Sequence, residues 1–317
     1  MSKLFIGTVI KSTGSWYKVR SGANVYKCRI IGKFRLGKLK VTNPVAVGDQ
    51  VKFEIEATEE KNGLIKEIMD RTNYVVRQSP RKKHFVHLLA SNVDHAVLII
   101  TVKDPMLKPG FIDRFLLMTE PYRIPVTIVF NKSDVYGDKE MYTYGVLKEI
   151  YEKVGYRVLL CSAEKGTGLD AVKETLEGKI NLISGQSGVG KSTIVNALLG
   201  KNIKTQELSD YTGKGQHTTT FAEMFDVDDT TKIIDTPGIK TLSFNFLEEQ
   251  DIIHSFREIF KYSEDCKFGD CSHRNEPKCA VKDAIANGEI SELRYLNYLQ
   301  LLEDTEDQNY WERHKDI

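Results

Sequence analysis

An eight-residue segment with the pattern G-x-x-x-x-G-K-S places the strongest constraint on this 317-residue chain. It runs from Gly185 to Ser192, between a short apolar run typical of a buried strand, Ile180 to Ile183, and a helical pattern that begins at Thr193. A glycine-rich loop in this context turns its backbone N–H groups toward a pyrophosphate, and the helix N-terminus adds partial positive charge. A plain glycine-rich turn is the weaker alternative. The segment therefore predicts a nucleoside triphosphate site.

The phosphate loop supplies two predicted catalytic or metal-binding groups. Lys191 is expected to reach the β- and γ-phosphates, and the Ser192 hydroxyl is expected to ligate Mg²⁺. The residues predicted to contact the nucleotide here are Gly185, Gln186, Ser187, Gly188, Val189, Gly190, Lys191, Ser192 and Thr193.

Upstream of this loop, apolar runs alternate with helical patterns. The runs 93–102, 126–130 and 157–161 are typical of buried parallel strands, and helical spacing occupies 111–120 and 138–154. Strands that alternate with helices indicate a doubly wound α/β domain.

Two of these predicted strands end in residues suited to guanine. Asn131, Lys132, Ser133 and Asp134 form N-K-S-D after the second strand. The Asp134 carboxylate can accept both the ring N–H and the exocyclic amine of guanine, whereas adenine offers no such pair of donors. After the third strand, Ser162 and Ala163 are expected to offer a backbone N–H to the guanine carbonyl. A chance N-K-x-D is common, but these positions at strand ends predict a GTP site.

Two further segments are predicted to sense the γ-phosphate. The D-x-x-G from Asp235 to Gly238 follows an apparent strand, and Asp235 is expected to hold Mg²⁺ through water. The polar loop 213–220 contains His217, Thr218 and Thr219, and its threonines are expected to close over the metal from the other side.

These motifs occur in an unusual order along the chain. The guanine-reading segments precede the phosphate loop and the D-x-x-G, whereas a conventional GTPase begins with the phosphate loop. Such a circular permutation is compatible with a sheet if the former termini can be joined, and Leu176 to Lys179 is sufficient for that. The chain then leaves the GTPase domain just after a segment that moves on hydrolysis.

The N-terminal region has different patterning. Short alternating runs separated by turn residues within 4–70 predict a small β-barrel, for which the oligonucleotide-binding (OB) fold is the commonest host. Residues 1–83 carry 18 Lys and Arg against 7 Asp and Glu, so the remainder of the chain is net acidic. A polyanion-binding module and a merely lysine-rich surface are both compatible with this charge. Residues 71–90 are interpreted as a basic linker.

A cysteine-rich segment follows the GTPase motifs. Its pattern is C-x₄-C-x-H-x₅-C, and three thiolates with one imidazole are typical of a closed, structural Zn²⁺ site. The predicted ligands are Cys266, Cys271, His273 and Cys279, flanked by helical patterns at 247–261 and 280–303. Cys28 and Cys161 are predicted to be core residues.

Together these features resemble the RsgA (YjeQ) family of circularly permuted GTPases, over essentially the whole chain. The resemblance implies an N-terminal OB-fold barrel (1–72), a permuted α/β P-loop GTPase domain (73–244) and a mostly helical zinc-binding domain (245–317). It also implies a factor that uses GTP with Mg²⁺ and one Zn²⁺ and binds the small ribosomal subunit and its rRNA. Late maturation is the implied role, with hydrolysis stimulated by the subunit and driving release. Separately, the sequence has no run of eighteen apolar residues and no signal-peptide h-region at residues 1–5, so we expect a cytoplasmic protein. We expect no membrane association and a monomer.

The residue that orients the attacking water is a separate hypothesis. Ras-like GTPases place a glutamine just after D-x-x-G, but this chain has Ile239 there. His217 is therefore the candidate, although a loop contact with rRNA or solvent is also compatible with it. Two alternatives for the whole chain remain: an RNA-binding assembly scaffold that uses GTP as a structural ligand, and a GTPase that acts on another RNA or in protein translocation. The basic barrel disfavours translocation.

Overall fold

The computed structural model describes residues 3–30, 43–56, 61–78, 86–200, 222–236 and 247–313. Within these residues, an N-terminal barrel, a central α/β domain and a C-terminal group of helices follow one another along the chain, as the sequence predicts.

The N-terminal domain is a closed five-stranded barrel with the strand order β1-β2-β3-β5-β4-β1. Alternate residues point inward, so that Val9, Tyr17 and Phe53 lie in a core that excludes water, and Cys28 is also buried there as predicted. The strands are β1 (Leu4–Ser12), β2 (Tyr17–Ser21), β3 (Asn24–Ile30), β4 (Gln50–Ile55) and β5 (Asn62–Ile68).

The segment interpreted as a basic linker contains regular structure instead. Strands β6 (Tyr74–Gln78) and β7 (Val86–Ser91) pair as an antiparallel ribbon. The prediction was wrong because the basic residues concealed apolar positions: Val75 and Leu88 are buried against the neighbouring domains. The ribbon therefore joins the barrel to the α/β domain.

The central domain is an α/β sheet in the order β10-β9-β8-β11-β13-β12, parallel except for β12. The central strands β8, β9 and β11 are buried on both faces, which explains their continuous apolar runs, whereas the edge strands β10 and β12 are only partly buried. The elements are β8 (His95–Ile100), α1 (Phe111–Leu116), β9 (Val126–Phe130), α2 (Asp138–Lys153), β10 (Arg157–Leu160), α3 (Leu169–Leu176), β11 (Ile180–Gly185), α4 (Lys191–Leu198), β12 (Glu223–Asp226) and β13 (Lys232–Asp235).

The barrel and the α/β sheet are continuous. β1 pairs antiparallel with the edge strand β12 at the position where Lys11 lies opposite Glu223. Ion pairs reinforce this junction: Lys11 Nζ lies 2.6 Å from a Glu223 carboxylate oxygen, and Arg20 lies 2.6 Å from Asp226. The α/β sheet is thus capped at one edge by the barrel.

The C-terminal region is helical, with elements α5 (Glu249–Ser255), α6 (Arg257–Ser263), α7 (Ala280–Ala286) and α8 (Glu292–Arg313). The helical pattern at 247–261 is two helices, because Phe256 adopts an extended conformation between them. The pattern at 280–303 is likewise interrupted between α7 and α8. Of the helices in the described residues, none has the length and apolarity needed to cross a membrane.

A buried charge cluster docks these helices on the α/β domain. The Arg294 guanidinium on α8 is 1% exposed and makes a bidentate ion pair with Glu258 on α6, with N–O distances of 2.6 and 2.9 Å. It also contacts the carboxylate of Asp113 on α1, which accepts a hydrogen bond from the Tyr151 hydroxyl of α2. Four helices from both domains therefore meet at one arginine.

Candidate functional site

The phosphate loop lies where the sequence predicts it, between β11 and α4. Two of its glycines are required by close approaches. A Cβ atom on Gly185 would lie 2.0 Å from the carbonyl oxygen of Ile99, and one on Gly190 would lie 2.4 Å from Asn131 Nδ2. Gly190 also has a φ of 91°, which disfavours any side chain. The loop therefore packs directly on the ends of neighbouring strands.

Lys191 points into this loop. Its ammonium group donates hydrogen bonds of 2.9 Å to the carbonyl oxygens of Gly185 and Gln186. Burial lowers the pKa of Lys191, while the negative charge of Asp235 acts in the opposite direction. A cation that is held by two neutral carbonyls is available to exchange them for phosphate oxygens.

Asn131 joins the predicted guanine loop to the phosphate loop. It lies just after β9 and is 2% exposed. Its Nδ2 donates to the carbonyl oxygen of Val189 at 2.8 Å, and its Oδ1 accepts the backbone N–H of Ala163 at 3.0 Å. One side chain thus connects three segments that are far apart in sequence.

The Asp134 carboxylate is exposed at the mouth of the same region. Its Oδ1 accepts a hydrogen bond from the Ser162 hydroxyl, which also accepts the backbone N–H of Lys165. Ser162 therefore fixes one carboxylate oxygen, and the orientation of the carboxylate is set before a base binds. Lys132 Nζ is held by the carbonyl oxygen of Asp104, and Ser133 N donates to Cys161, which is buried as predicted.

Sequence reasoning missed Tyr136, which stabilises the guanine loop from below. Its hydroxyl accepts the backbone N–H of Val102 at 2.8 Å, and its one proton lies between two acceptors, the carbonyl oxygen of Asn131 at 2.8 Å and Thr101 Oγ1 at 3.1 Å. Because a tyrosine two residues after N-K-S-D reads as an ordinary apolar contact, the only sequence signal was its closeness to the motif.

Asp235 lies at the carboxyl end of β13, in register with Ile183 of β11. It is 3% exposed, and its Oδ1 has no hydrogen-bond partner among the described residues. Burial raises its pKa to about 6, although the nearby Lys191 charge opposes that shift. The Asp235 carboxylate is therefore buried beside Lys191 with one oxygen unpaired. A water molecule bound to Mg²⁺ would supply the missing hydrogen bond.

Other buried polar atoms at this sheet edge also lack partners among the residues described. They are Ser184 Oγ, Gln186 Oε1 and Asn196 Oδ1. Unsatisfied buried polar atoms are rare in folded proteins, so their concentration here fits a site completed by a polar ligand. Ser187, Gly188, Ser192 and Thr193 are exposed and able to contact one. The residues present therefore fit a nucleotide with Mg²⁺.

Four of the predicted site residues lie outside the described ranges. They are His217, Thr218, Thr219 and Gly238. Their predicted roles stay predictions.

The four predicted zinc ligands come together in the C-terminal region. Their ligand atoms all lie within 4.8 Å of one another. His273 Nδ1 is 3.6 Å from Cys266 Sγ and 3.5 Å from Cys279 Sγ, and these two sulfurs are 3.9 Å apart. Tetrahedral coordination with Zn–S near 2.3 Å and Zn–N near 2.0 Å requires S–S and S–N separations of about 3.8 and 3.5 Å. The three separations among Cys266, His273 and Cys279 therefore match a tetrahedral metal centre, and Cys271 Sγ lies within 4.8 Å of the other ligand atoms.

Glu276 shapes the loop that carries these ligands and was also missed. Its carboxylate accepts the backbone N–H groups of Ser272, Arg274 and Asn275 and the Ser272 hydroxyl, at 2.6 to 3.0 Å. Burial acts to raise its pKa, but these hydrogen bonds prevail and lower it to about 2. Glu276, which is not a predicted metal ligand, thus holds the backbone on both sides of His273.

Comparisons with known proteins agree with this organisation. The family description "RsgA GTPase" matches residues 68–245, and "RsgA N-terminal domain" matches residues 6–65. The chain is 50% identical over 306 residues to small ribosomal subunit biogenesis GTPase RsgA 2 of Bacteroides thetaiotaomicron, covering 96% of this chain and 98% of that protein. It is 47% identical over 307 residues to the RsgA protein of Christiangramia forsetii, covering 96% and 97%.

Solved structures give the same result. YjeQ from Thermotoga maritima superposes with a TM-score of 0.73 and 32% identity, covering 96% of this chain and 99% of that one. YloQ, described as a circularly permuted GTPase, superposes with a TM-score of 0.70 and 31% identity, covering 96% of both chains. The order of motifs and the sheet order of this chain agree with that description. The chain belongs to the RsgA family of circularly permuted GTPases and is a GTP-hydrolysing enzyme.

Proposed function

We propose that this enzyme binds the small ribosomal subunit in its GTP state, assists late maturation of the subunit, and leaves after the subunit has stimulated hydrolysis. The observation that carries the proposal is that one sheet edge gathers a phosphate loop, a guanine loop and an unpartnered carboxylate, in a chain half identical to a protein named for small-subunit biogenesis. We further propose that it acts in the cytoplasm as a monomer.

In this proposal, each residue around the nucleotide contacts a particular part of GTP or the metal. Asp134 accepts two hydrogen bonds from guanine, and the backbone of Ser162 and Ala163 faces the guanine carbonyl. Lys191 neutralises the β- and γ-phosphates, and the neighbouring N–H groups of the loop hold the pyrophosphate. Ser192 and Asp235 hold Mg²⁺, which supplies charge neutralisation of the transferred phosphoryl group.

The residues beyond the described ranges complete the site in this proposal. Thr218 and Thr219 close on the metal side, and the backbone N–H of Gly238 faces the γ-phosphate. His217 orients the attacking water when the subunit is bound. Intrinsic turnover is therefore slow without the subunit.

The barrel and the cysteine-rich cluster serve binding and stability. Exposed cationic residues of the barrel include Lys18, Lys27 and Arg29, with Lys27 Nζ lying 4.4 Å from the ring centroid of Trp16. This combination of positive charge and aromatic surface supports rRNA contact. The Cys₃His cluster holds Zn²⁺, because thiolates and imidazole in tetrahedral array prefer it, and no position remains for a catalytic water.

The test is GTP turnover by the purified protein alone, with small subunits, and with large subunits as the control. We expect strong stimulation by small subunits only. GTP binding without stimulation by either subunit would contradict the proposal, and would favour a scaffold that uses GTP as a structural ligand or a GTPase activated by another RNA.

The role of His217 is tested separately. His217→Ala should bind GTP normally and lose about 10²- to 10³-fold of the subunit-stimulated rate, the range found when one transition-state group is removed. His87→Ala is a matched histidine control outside the proposed nucleotide site. Full stimulated turnover in His217→Ala would assign the water-orienting role to another residue.

A further inference from the structure

The amino-terminal edge of the α/β sheet carries a row of basic residues. β10 begins at Arg157, β8 begins at His95, Lys179 immediately precedes β11, and Arg123 lies three residues before β9. Since these strands are neighbours in the order β10-β9-β8-β11, four adjacent strands each enter the sheet with a basic residue. This is the opposite edge from the nucleotide site.

The row lines a single cavity of about 600 Å³, which we call the edge cavity. Arg257 of α6 adds a further cation from the C-terminal helices. The edge cavity is lined by His95, Glu120, Arg123, Pro125, Val126, Thr127, Gly155, Tyr156, Arg157, Glu174, Thr175, Lys179 and Arg257. With His95 neutral, four cations face two carboxylates.

The two carboxylates do not neutralise the whole row. Glu120 is committed to Arg257, whose Nε and a terminal nitrogen lie 3.0 and 2.8 Å from it, and it also accepts the Tyr156 hydroxyl. Glu174 pairs with Arg157, at 3.2 Å, and 70% of its side chain is exposed. Glu120 is therefore fully paired with Arg257 and Tyr156, whereas Glu174 makes one exposed ion pair with Arg157.

Two cations remain without an acid. No carboxylate oxygen in the described part of the chain lies within 4.0 Å of Arg123 or Lys179; the hydrogen bond that Lys179 Nζ makes, at 2.9 Å, is to the carbonyl oxygen of Thr175. Uncompensated cations that share a concave surface raise the local concentration of anions.

His95 reports the same positive field from the floor of the edge cavity. Both ring nitrogens are engaged, Nδ1 with Asn181 Oδ1 at 3.0 Å and Nε2 with Thr127 Oγ1 at 2.9 Å. Burial lowers its pKa, and the charges of Lys179 and Arg157 lower it further. Because the protonated form of His95 is disfavoured, the positive charge of the edge cavity comes from the arginines and the lysine.

We propose that the edge cavity binds an anion with two or more adjacent phosphate groups. Arg123 precedes β9 and Lys179 precedes β11, and these two strands are separated by β8, so the strands themselves lie about 10 Å apart. The cations of the edge cavity are spread over four adjacent strands, about 14 Å from β10 to β11, so a run of phosphates can pair with more of them than a single phosphate can. The same chemistry is offered by a free oligophosphate and by an RNA backbone, and the experiment distinguishes these sources.

The edge cavity is separate from the nucleotide site. Lys179 and Gly185 bracket β11, and at about 3.3 Å per residue the two sites lie about 20 Å apart. The proposal is therefore independent of the proposed ribosomal function, and a GTPase assay does not decide it.

The experiment uses the full chain saturated with GDP and excess Mg²⁺. Tripolyphosphate is titrated by calorimetry, while a fluorescent GDP analogue reports any loss of nucleotide from the phosphate loop. A single-stranded RNA oligonucleotide forms the second arm. The variant is the pair Arg123→Ala with Lys179→Ala, and the matched control is Lys148→Ala with Lys173→Ala, which removes two positive charges elsewhere in the same domain.

We expect binding without nucleotide release, and at least tenfold weaker binding in the Arg123/Lys179 variant but not in the control, since charge-assisted hydrogen bonds are lost. Weakening of tripolyphosphate binding identifies a free oligophosphate site; weakening of RNA binding alone identifies a backbone contact. Equal affinities for both probes in the variant and the control, with unchanged basal GTP turnover as proof of folding, would overturn the proposal.

Discussion

Asn131 Nδ2 donates a 2.8 Å hydrogen bond to the carbonyl oxygen of Val189, which connects the guanine loop to the phosphate loop across 58 residues. The same side chain accepts the backbone N–H of Ala163, and the approach is possible only because residue 190 is a glycine. The two halves of the nucleotide site therefore cannot move independently.

Asn131→Ala should weaken GTP binding about 10- to 100-fold. The substitution leaves a buried backbone carbonyl and a buried N–H without partners, at a cost of about 1–3 kcal/mol. Equilibrium titration with a fluorescent GTP analogue measures the effect, and Asn24→Ala, at an exposed barrel position, is the matched control. Unchanged affinity in Asn131→Ala would show that the two loops are positioned by other contacts.

Gly190→Ala should abolish tight nucleotide binding. The added Cβ would lie 2.4 Å from Asn131 Nδ2, so the guanine loop or the phosphate loop has to shift. Gly200→Ala is a stringent control, because residue 200 also has a positive φ, of 60°, but its Cβ would meet nothing within 4 Å. Both variants carry backbone strain of about 1–2 kcal/mol, and only Gly190→Ala should lose binding. Similar losses in both would attribute the effect to strain alone.

Mg²⁺-dependent GTP affinity should fall as the pH drops below about 6. Burial raises the pKa of Asp235 to about 6, and a protonated carboxyl group does not hold the metal. Each further pH unit should weaken binding about tenfold. The free energy of unfolding without nucleotide should depend on pH in the opposite direction. Because the pKa of Asp235 is higher in the native state than in the unfolded state, its protonation stabilises the native state at low pH, and this contribution is lost as the pH rises through about 6. Asp235→Asn should remove both dependences; a pH profile of affinity that persists in this variant would locate the titration elsewhere.

Cys279→Ala should remove the bound metal and destabilise the C-terminal helices by several kcal/mol, because metal binding contributes directly to folding. Elemental analysis should find one zinc per chain in the parent and almost none in the variant. Cys28→Ala is the control, a buried cysteine in the barrel core. A parent protein that carries no zinc after purification and reconstitution would refute the metal assignment.

The motifs predicted the α/β domain, the barrel and the metal cluster because each rests on local spacing. Gly185 and Lys191 are six residues apart, and the four predicted metal ligands lie within fourteen, so chain geometry alone brings them close. Long-range partners leave no such local pattern. Nothing in the run around Lys11 indicates that β1 pairs with β12, because the pairing spans 212 residues. The ribbon formed by residues 74–78 and 86–91 was missed for another reason. The interpretation gave more weight to the basic run 81–83 and the Ser79-Pro80 break than to the apolar pairs 75–76 and 88–89.

Arg294 is the clearest case of a residue that sequence patterning misreads. On a polar helix it reads as a surface charge, yet it is 1% exposed and lies between Glu258, 36 residues away, and Asp113, 181 residues away. The centroid of the Phe256 ring lies 4.4 Å from the guanidinium carbon of Arg294, so the ring covers the guanidinium group. Burial of an arginine becomes predictable only once both acids are known to surround it.

Arg294→Ala should lower the free energy of unfolding by about 3–5 kcal/mol, because two carboxylates are left buried without their partner. Urea unfolding, followed by far-ultraviolet circular dichroism, measures this loss. Arg114→Ala should cost less than about 1 kcal/mol, since its ion pair with Asp304 is partly exposed. Combining Arg294→Met with Glu258→Met and Asp113→Asn should recover most of the stability, because no buried charge then remains. If the triple variant is no more stable than Arg294→Ala, the ion pairs themselves stabilise the docked helices. A more stable triple variant means that each charge of the cluster only offsets the cost of burying the others.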